Sequence, residues 1–130
     1  MHKGFLVTAA FIGALSVALG AFGAHALKSI LTEQSLNTYE TAVRYQFYHV
    51  FALALTGVLY QTYPNKLVKA AGQLFILGII FFSGSLYLLT YGSTKGVSFR
   101  WAGPITPLGG VMLIIAWICL GLGIRKKLSI

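Results

Sequence analysis

Residues 68–91 read VKAAGQLFILGIIFFSGSLYLLTY, a segment whose only charged residue, Lys69, lies next to its start. As an α-helix this segment would extend about 36 Å, enough to cross the ~30 Å hydrocarbon core of a bilayer. Three more segments have the same apolar character: Phe5 to Phe22, about Thr41 to Leu59, and Thr106 to Ile124. A soluble domain has no place for four such helices, so the sequence predicts a small polytopic membrane protein.

The composition leaves room for one domain and no soluble lobe. Of 130 residues, 57% are hydrophobic and only 9% are charged. We therefore predict an all-α membrane protein, a four-transmembrane-helix antiparallel bundle that forms a single domain over residues 1–130. The predicted spans cover about residues 5–24, 39–60, 67–91 and 106–124.

The net charge of +8 would suggest a nucleic-acid partner in a soluble protein. Here the basic residues flank apolar segments, so membrane lipids are the expected partner and nucleic acid is not. An even number of spans puts both termini and the middle loop on one side. That side carries Lys3, Lys66, Lys69, Arg125, Lys126 and Lys127, against Lys28, Arg44, Lys95 and Arg100 on the other. The positive-inside rule then predicts that both termini lie in the cytoplasm.

The first apolar segment also has features of a signal peptide. Lys3 precedes it, and Ala24-His25-Ala26 follows it with the small-x-small pattern of a cleavage site. The apolar stretch is longer than a usual signal peptide contains. We therefore expect this segment to be a retained transmembrane helix.

Small residues indicate where helices approach one another closely. In the first span Ala9, Gly13, Ser16, Gly20 and Gly23 fall within a band of about 80° on one helical face. In lipid such a stripe permits tight helix contact, and we expect it to favour self-association into a homo-oligomer. The predicted helix-packing residues are Gly13, Gly20, Gly23, Ser83, Gly84, Ser85, Gly109 and Gly110. The three consecutive small residues at 83–85 predict that the third span contacts more than one neighbour.

Two helix starts carry capping signals. After an irregular loop over residues 27–37, Asn37 or Thr38 is expected to cap the second span, with Glu40 completing a capping box. Thr106 and Pro107 suit the N-cap and first position of the fourth span.

The second span carries polar and aromatic residues in a band about 100° wide. They are Thr41, Tyr45, Tyr48, His49, Ala52 and Thr56. Exposure of His49 and two tyrosine hydroxyls to lipid is costly, so we expect this band to face the bundle interior or another subunit. Glu40 and Arg44 lie one turn apart beside it, in the order that favours an ion pair.

His49 has two interpretations. It is a ligand to haem or metal or a hydrogen-bond donor to a quinone, or else a buried histidine bonded to a tyrosine or a carbonyl. If His25 folds over the second span, the two histidines would form a haem-binding pair. Arg44 and Arg100 would hold an acidic group of the cofactor, or they extend to lipid headgroups. The candidate cofactor-binding residues are His25, Arg44, Tyr45, His49 and Arg100.

Other chemistry has little support in the sequence. There is no catalytic set and no metal-type cysteine spacing, and the single Cys119 reads as a core residue. We therefore expect no metal site, and an enzyme is less favoured than a non-enzyme. The first functional hypothesis is an accessory or membrane-integrity protein that packs with lipids, with itself or with a larger membrane complex. The alternatives are a haem- or quinone-binding protein and an oligomeric pore or transporter.

Several short motifs together resemble a known family. In order, they are GAFGAH at 20–25, YQFYH at 45–49, FSGSLY at 82–87 and TPLGG at 106–110, followed by Trp117. They resemble the bacterial inner-membrane family called domain of unknown function 423, which includes YgdD-like and YwdK-like proteins and is similar to the transmembrane protein 256 group. The resemblance implies a four-span plasma-membrane protein and no particular activity. The positions that match its pattern are His25, Tyr45, Gln46, His49, Ser83, Gly84, Ser85, Thr106, Pro107, Gly109 and Gly110.

Overall fold

The computed structural model describes residues 1–128, with side chains as far as Lys126. Within this range the chain forms four α-helices: Lys3–Phe22 (α1), Glu33–Leu59 (α2), Lys66–Lys95 (α3) and Ala102–Leu128 (α4). A π-helical turn, Gly23–Leu27, extends α1. Residues 1–128 contain no β-strand, which confirms the predicted all-α class.

Three helical stretches are long and apolar enough to cross a membrane. They are Lys3–Leu27, Lys66–Lys95 and Ala102–Lys126. Helix α2 is not among them, because its first half carries two acidic residues and Arg44 among many polar side chains. The predicted span over residues 39–60 therefore remains a prediction.

Helix α2 lies between α1 and α3, and α4 packs along α3. The contacts join the start of each helix to the end of the next. Phe5 near the start of α1 lies against Gly57 near the end of α2, whereas Gly23 lies against Tyr39. The core between the helices is largely apolar, with Leu53 and Phe75 among its most buried side chains.

Helix α2 begins earlier than predicted. Its N-cap is Thr32, whose hydroxyl accepts a hydrogen bond from the backbone N–H of Ser35 at 3.1 Å. The prediction of Asn37 or Thr38 as the cap was wrong. Thr32 is an equally good capping residue that comes first along the chain. The negative charge of Glu33, directly after it, stabilises the helix start because the N-terminus of a helix carries partial positive charge.

Helix α4 also begins earlier than predicted, at Ala102. Backbone bonds from Ala102 to Phe99 (3.0 Å) and from Gly103 to Arg100 (3.2 Å) form a turn that leads into the helix. The predictions of Thr106 as N-cap and of Pro107 as the first helical residue were therefore wrong, because both lie inside α4. The Thr106 hydroxyl lies instead 2.5 Å from the hydroxyl of Ser85 and links α4 to α3.

Helix α3 has defined caps at both ends. At its start the side-chain oxygen of Asn65 accepts hydrogen bonds from Leu67 and Val68, and its amide donates to the carbonyl of Gly123 at 2.9 Å. At its end Gly96 has φ 67, a left-handed conformation that favours glycine and closes the helix. Asn65 thus also fixes the end of α4 to the start of α3.

We expect Asn65→Ala to lower the free energy of unfolding by about 1.5 kcal/mol, because both the cap and the bond to α4 are lost. Asn65→Ser keeps a capping oxygen but cannot reach Gly123, so its loss should be about half as large. Reversible unfolding in mixed micelles measures both. Equal losses for the two variants would show that the cap contributes nothing.

Candidate functional site

The interior between the four helices contains a set of buried polar side chains. They are Ser16, Gln46, His49, Thr56, Ser83, Ser85 and Thr90. Each has a hydrogen-bond partner, and among the described residues no buried side-chain nitrogen or oxygen atom lacks one. Several of these bonds join different helices, so the polar groups hold the helices together.

Gln46 is the centre of this set. It is only 2% exposed and accepts a hydrogen bond from the hydroxyl of Tyr87 on α3 at 2.6 Å. Its amide nitrogen lies 3.4 Å from the carbonyl of Ile12 on α1. The hydroxyl of Tyr39, about two turns earlier on the same face of α2, donates to the carbonyl of Leu19. Gln46 therefore connects three helices in the half of α2 that also carries the charges.

Both ring nitrogens of His49 have partners. Nδ1 lies 2.8 Å from the carbonyl of Tyr45, and Nε2 accepts a hydrogen bond from the indole N–H of Trp117 at 3.2 Å. An indole only donates and a carbonyl only accepts, so this pattern corresponds to a neutral imidazole protonated on Nδ1. The bond to Trp117 joins α2 to α4 across the ring of Phe75. His49 thus has the bonding of a buried histidine that holds helices together.

The structure does not bring His25 next to His49. His25 lies exposed in the π-helical turn, two residues after Gly23, which contacts Tyr39. Ten residues of α2 separate Tyr39 from His49, which is about 15 Å along the helix. The two histidines therefore lie at different levels along the helices, not on either side of one cofactor.

Of the remaining candidate residues, Tyr45 stacks beside His49, whereas the two arginines border separate cavities. Arg44 borders a cavity of about 200 Å³ between α1 and α2, together with Glu40. Arg100 borders another cavity, of about 430 Å³, formed by the end of α3 and the loop that follows. Tyr45 packs against Phe82, on the side of α2 that faces neither cavity. The five predicted cofactor-binding residues thus do not converge on one site.

The predicted polar band of α2 is divided between inside and outside. His49, Ala52 and Thr56 are buried, but Tyr45 and Tyr48 are 38% and 54% exposed. Of the two alternatives predicted for this band, burial inside this chain therefore holds for His49 and not for the two tyrosines, for which contact with another subunit stays a prediction. The buried face of α2 is rotated away from the band, because its centre is formed by Gln46 together with the small and branched residues Ala42, Val43, Val50 and Leu53.

The small residues of α1 serve contacts within the chain. A Cβ added at Gly13 or Gly20 would lie 3.5 Å from Val50 or Val43, and one at Gly23 would overlap the ring of Tyr39. Helix α2 therefore covers the stripe that we expected to serve self-association.

On α3 the two serines of the Ser83-Gly84-Ser85 motif contact different neighbours. Ser83 donates to the carbonyl of Ala42 on α2 at 2.7 Å, whereas Ser85 meets Thr106 on α4. Gly84 between them points outward, with nothing within 4 Å of its Cβ position. The third span thus touches two helices, as predicted, but Gly84 does not contribute.

The sequence analysis did not predict that Gln46 connects helices. The spacing of residues could have indicated it, because Tyr39, Gln46 and Leu53 follow one another at intervals of seven residues and lie on one helical face. A glutamine in the middle of such a series is placed inside, where it must find partners on neighbouring helices.

The apolar helices and the satisfied polar interior define this chain as an all-helical membrane protein. It belongs to the family described as "Protein of unknown function (DUF423)", whose model matches residues 19–110. This confirms the resemblance that the sequence motifs indicated.

Bacterial membrane proteins are similar to the chain over nearly its whole length. A UPF0382 membrane protein of Staphylococcus aureus is 43% identical over 118 residues, which is 91% of this chain and 92% of the relative. The UPF0382 membrane protein YwdK of Bacillus subtilis is 40% identical over 97% of this chain and 99% of its own length. A relative in Haemophilus influenzae is 35% identical over the full length of both chains. No solved structure matches the chain.

Proposed function

We propose that this protein is a four-span plasma-membrane protein with both termini in the cytoplasm. In this proposal it is a non-enzymatic accessory or membrane-integrity protein. It acts through its outer surface, by packing with lipids, with another copy or with a larger membrane complex.

The observation that supports this proposal is the contrast between an interior whose polar groups are all hydrogen-bonded, within the described residues, and an apolar exterior. Inside, Gln46 and His49 are bonded to neighbouring helices, so a cofactor at either residue would have to displace an existing bond. Outside, every helix exposes large apolar side chains, including Phe11 on α1, Phe51 on α2, Ile80 on α3 and Ile114 on α4. A surface of this kind is suited to lipid tails and to other membrane helices.

Two features support α2 as the fourth span. Its 27 residues extend about 40 Å, more than the hydrocarbon core requires. Its outward face from Phe51 to Val58 is apolar, with Leu55 between them. Because α2 lies between α1 and α3, a membrane that contains these two helices would surround it as well.

The contacts at one end of the bundle support a common side for the two termini. The backbone N–H of His2 donates to the carbonyl of Gly57 at 2.9 Å, next to the loop that precedes α3. Asn65 in that loop bonds to Gly123, just before Arg125. The basic residues that favour the cytoplasm therefore gather at the end where the chain begins and α4 finishes.

Native mass spectrometry of the protein, gently extracted from its own membrane, tests the proposal. We expect the chain, as a monomer or homo-oligomer, to carry only lipids. A reproducible adduct with the mass of a haem or a quinone would overturn the proposal. Loss of that adduct in His49→Ala and its retention in His2→Ala would assign it to the interior of the bundle.

A further inference from the structure

The outward face of α2 differs from the rest of the lipid-facing surface. Glu40, Arg44, Tyr48, Phe51 and Leu55 are all exposed and lie on one side of the helix, and we name them the α2 ridge. Their spacing of four, four, three and four residues is that of a seam between two packed helices.

The ridge brings two opposite charges into the outer half of the proposed bundle. The apolar stretches of α1, α3 and α4 contain no charged residue between positions 4 and 27, 70 and 94, or 101 and 124. Within the described part of the chain, Glu40 and Arg44 form no ion pair, either with each other or with another residue. The hydroxyl of Tyr48, one turn further along, has no hydrogen-bond partner there either. Charged and polar groups that face lipid without partners are costly, so this face calls for a covering surface that carries both charges.

We propose that a second copy of this chain covers the α2 ridge, so that the protein forms a symmetric dimer in the membrane. The inference rests on the proposed placement of α2 as a membrane span. Two copies inserted in the same direction are related by a twofold axis along the membrane normal, which places their α2 helices side by side and parallel. Such an interface is self-complementary. Glu40 of each copy pairs with the partner's Arg44, while Phe51 and Leu55 interlock below.

The charge pattern favours a second copy over a lipid as the occupant. An anionic headgroup would satisfy Arg44 but would be repelled by Glu40, which lies one turn away. A second copy supplies both signs in the required order, and each pair then occurs twice in the dimer. The stripe of small residues on α1 is not available for this purpose, because α2 already covers it.

Cysteine cross-linking in native membranes tests the interface. In a Cys119→Ser background, Phe51→Cys places a thiol on the ridge, and Phe11→Cys places one on the outward face of α1. The two phenylalanines are 67% and 74% exposed and are well matched in depth, because Gly13 of α1 lies beside Val50 of α2. We expect a disulfide-linked dimer from Phe51→Cys and none from Phe11→Cys. Equal cross-linking at the two positions, or no cross-link at Phe51→Cys, would overturn the proposal.

Charge exchange tests the pairing itself. Glu40→Arg or Arg44→Glu alone places like charges together, and either should reduce the dimer association constant by about tenfold. The double variant restores opposite charges and should recover dimerisation. Failure of the double variant to recover it would contradict the pairing, as would anionic-lipid binding that depends on Arg44 in a protein that stays monomeric.

Labelling with a membrane-impermeant maleimide shows whether a negative result refutes only the dimer or also the proposed four-span bundle. We expect Phe51→Cys in intact membranes to resist labelling. If it is labelled, α2 is not within the bilayer, and both the bundle and the dimer are refuted. If it is neither labelled nor cross-linked, only the dimer is refuted.

Discussion

Gly109→Ala should separate α3 from α4 and lower the free energy of unfolding by about 3 kcal/mol. A Cβ at this position would lie 2.3 Å from the backbone nitrogen of Phe82 and 2.8 Å from backbone atoms of Phe81 and Phe82. Backbone atoms inside a helix cannot rotate aside, so the two helices must move apart along their interface. The gain in helix propensity from glycine to alanine is about 1 kcal/mol and does not offset this loss.

Gly121→Ala is the matched control, because it lies on the same helix and has nothing within 4 Å of its Cβ position. We expect it to be neutral or slightly stabilising. Reversible unfolding of both variants in micelles with increasing sodium dodecyl sulfate gives the two free energies. Similar values for the two variants would mean that α3 and α4 do not touch at Gly109.

Gln46→Leu should lower the free energy of unfolding by about 2 to 3 kcal/mol. The substitution keeps the volume but leaves the buried hydroxyl of Tyr87 without its acceptor and removes the contact to the carbonyl of Ile12. Neither water nor lipid replaces these partners inside the bundle. Gln73→Leu serves as the control, because Gln73 lies exposed on α3.

A double-mutant cycle with Tyr87→Phe separates the bond from the packing. If the Gln46–Tyr87 bond carries the effect, the double variant should be more stable than the sum of the single losses predicts, by about 1 to 2 kcal/mol. Strictly additive losses would show that the two side chains contribute independently.

The sequence predicted the helices well, because apolar runs of membrane length have few alternatives. It also identified Ser83, Ser85 and Gly109, since small residues at helix crossings are the main packing signal in lipid. The starts of α2 and α4 were less predictable. Thr32 and Asn37 are both good caps, and the choice between them depends on the turn after α1 rather than on local preference.

The orientation of α2 about its own axis was the harder problem. In a soluble helix the apolar stripe marks the buried face, but in a membrane the outer face is apolar as well. The prediction therefore used polarity as the mark of the interior or of a subunit contact, and within this chain His49 is buried whereas Tyr48 is exposed. The buried face is set by close packing of Ala42 and Leu53 on two neighbours, and a single sequence does not show those neighbours.

The location of α2 between its neighbours has a consequence for biosynthesis. In the proposed four-span arrangement the ribosome releases α2 before α3. Two hydrogen bonds to α2 come from α3: the Tyr87 hydroxyl donates to Gln46, and the Ser83 hydroxyl donates to the carbonyl of Ala42. Until α3 is made, a helix with three charges, in which the side-chain oxygen of Gln46 has no donor, gains little from entering lipid. We therefore expect α2 and α3 to enter the bilayer together as a hairpin, with the nascent α2 held at the insertion machinery until its partner arrives.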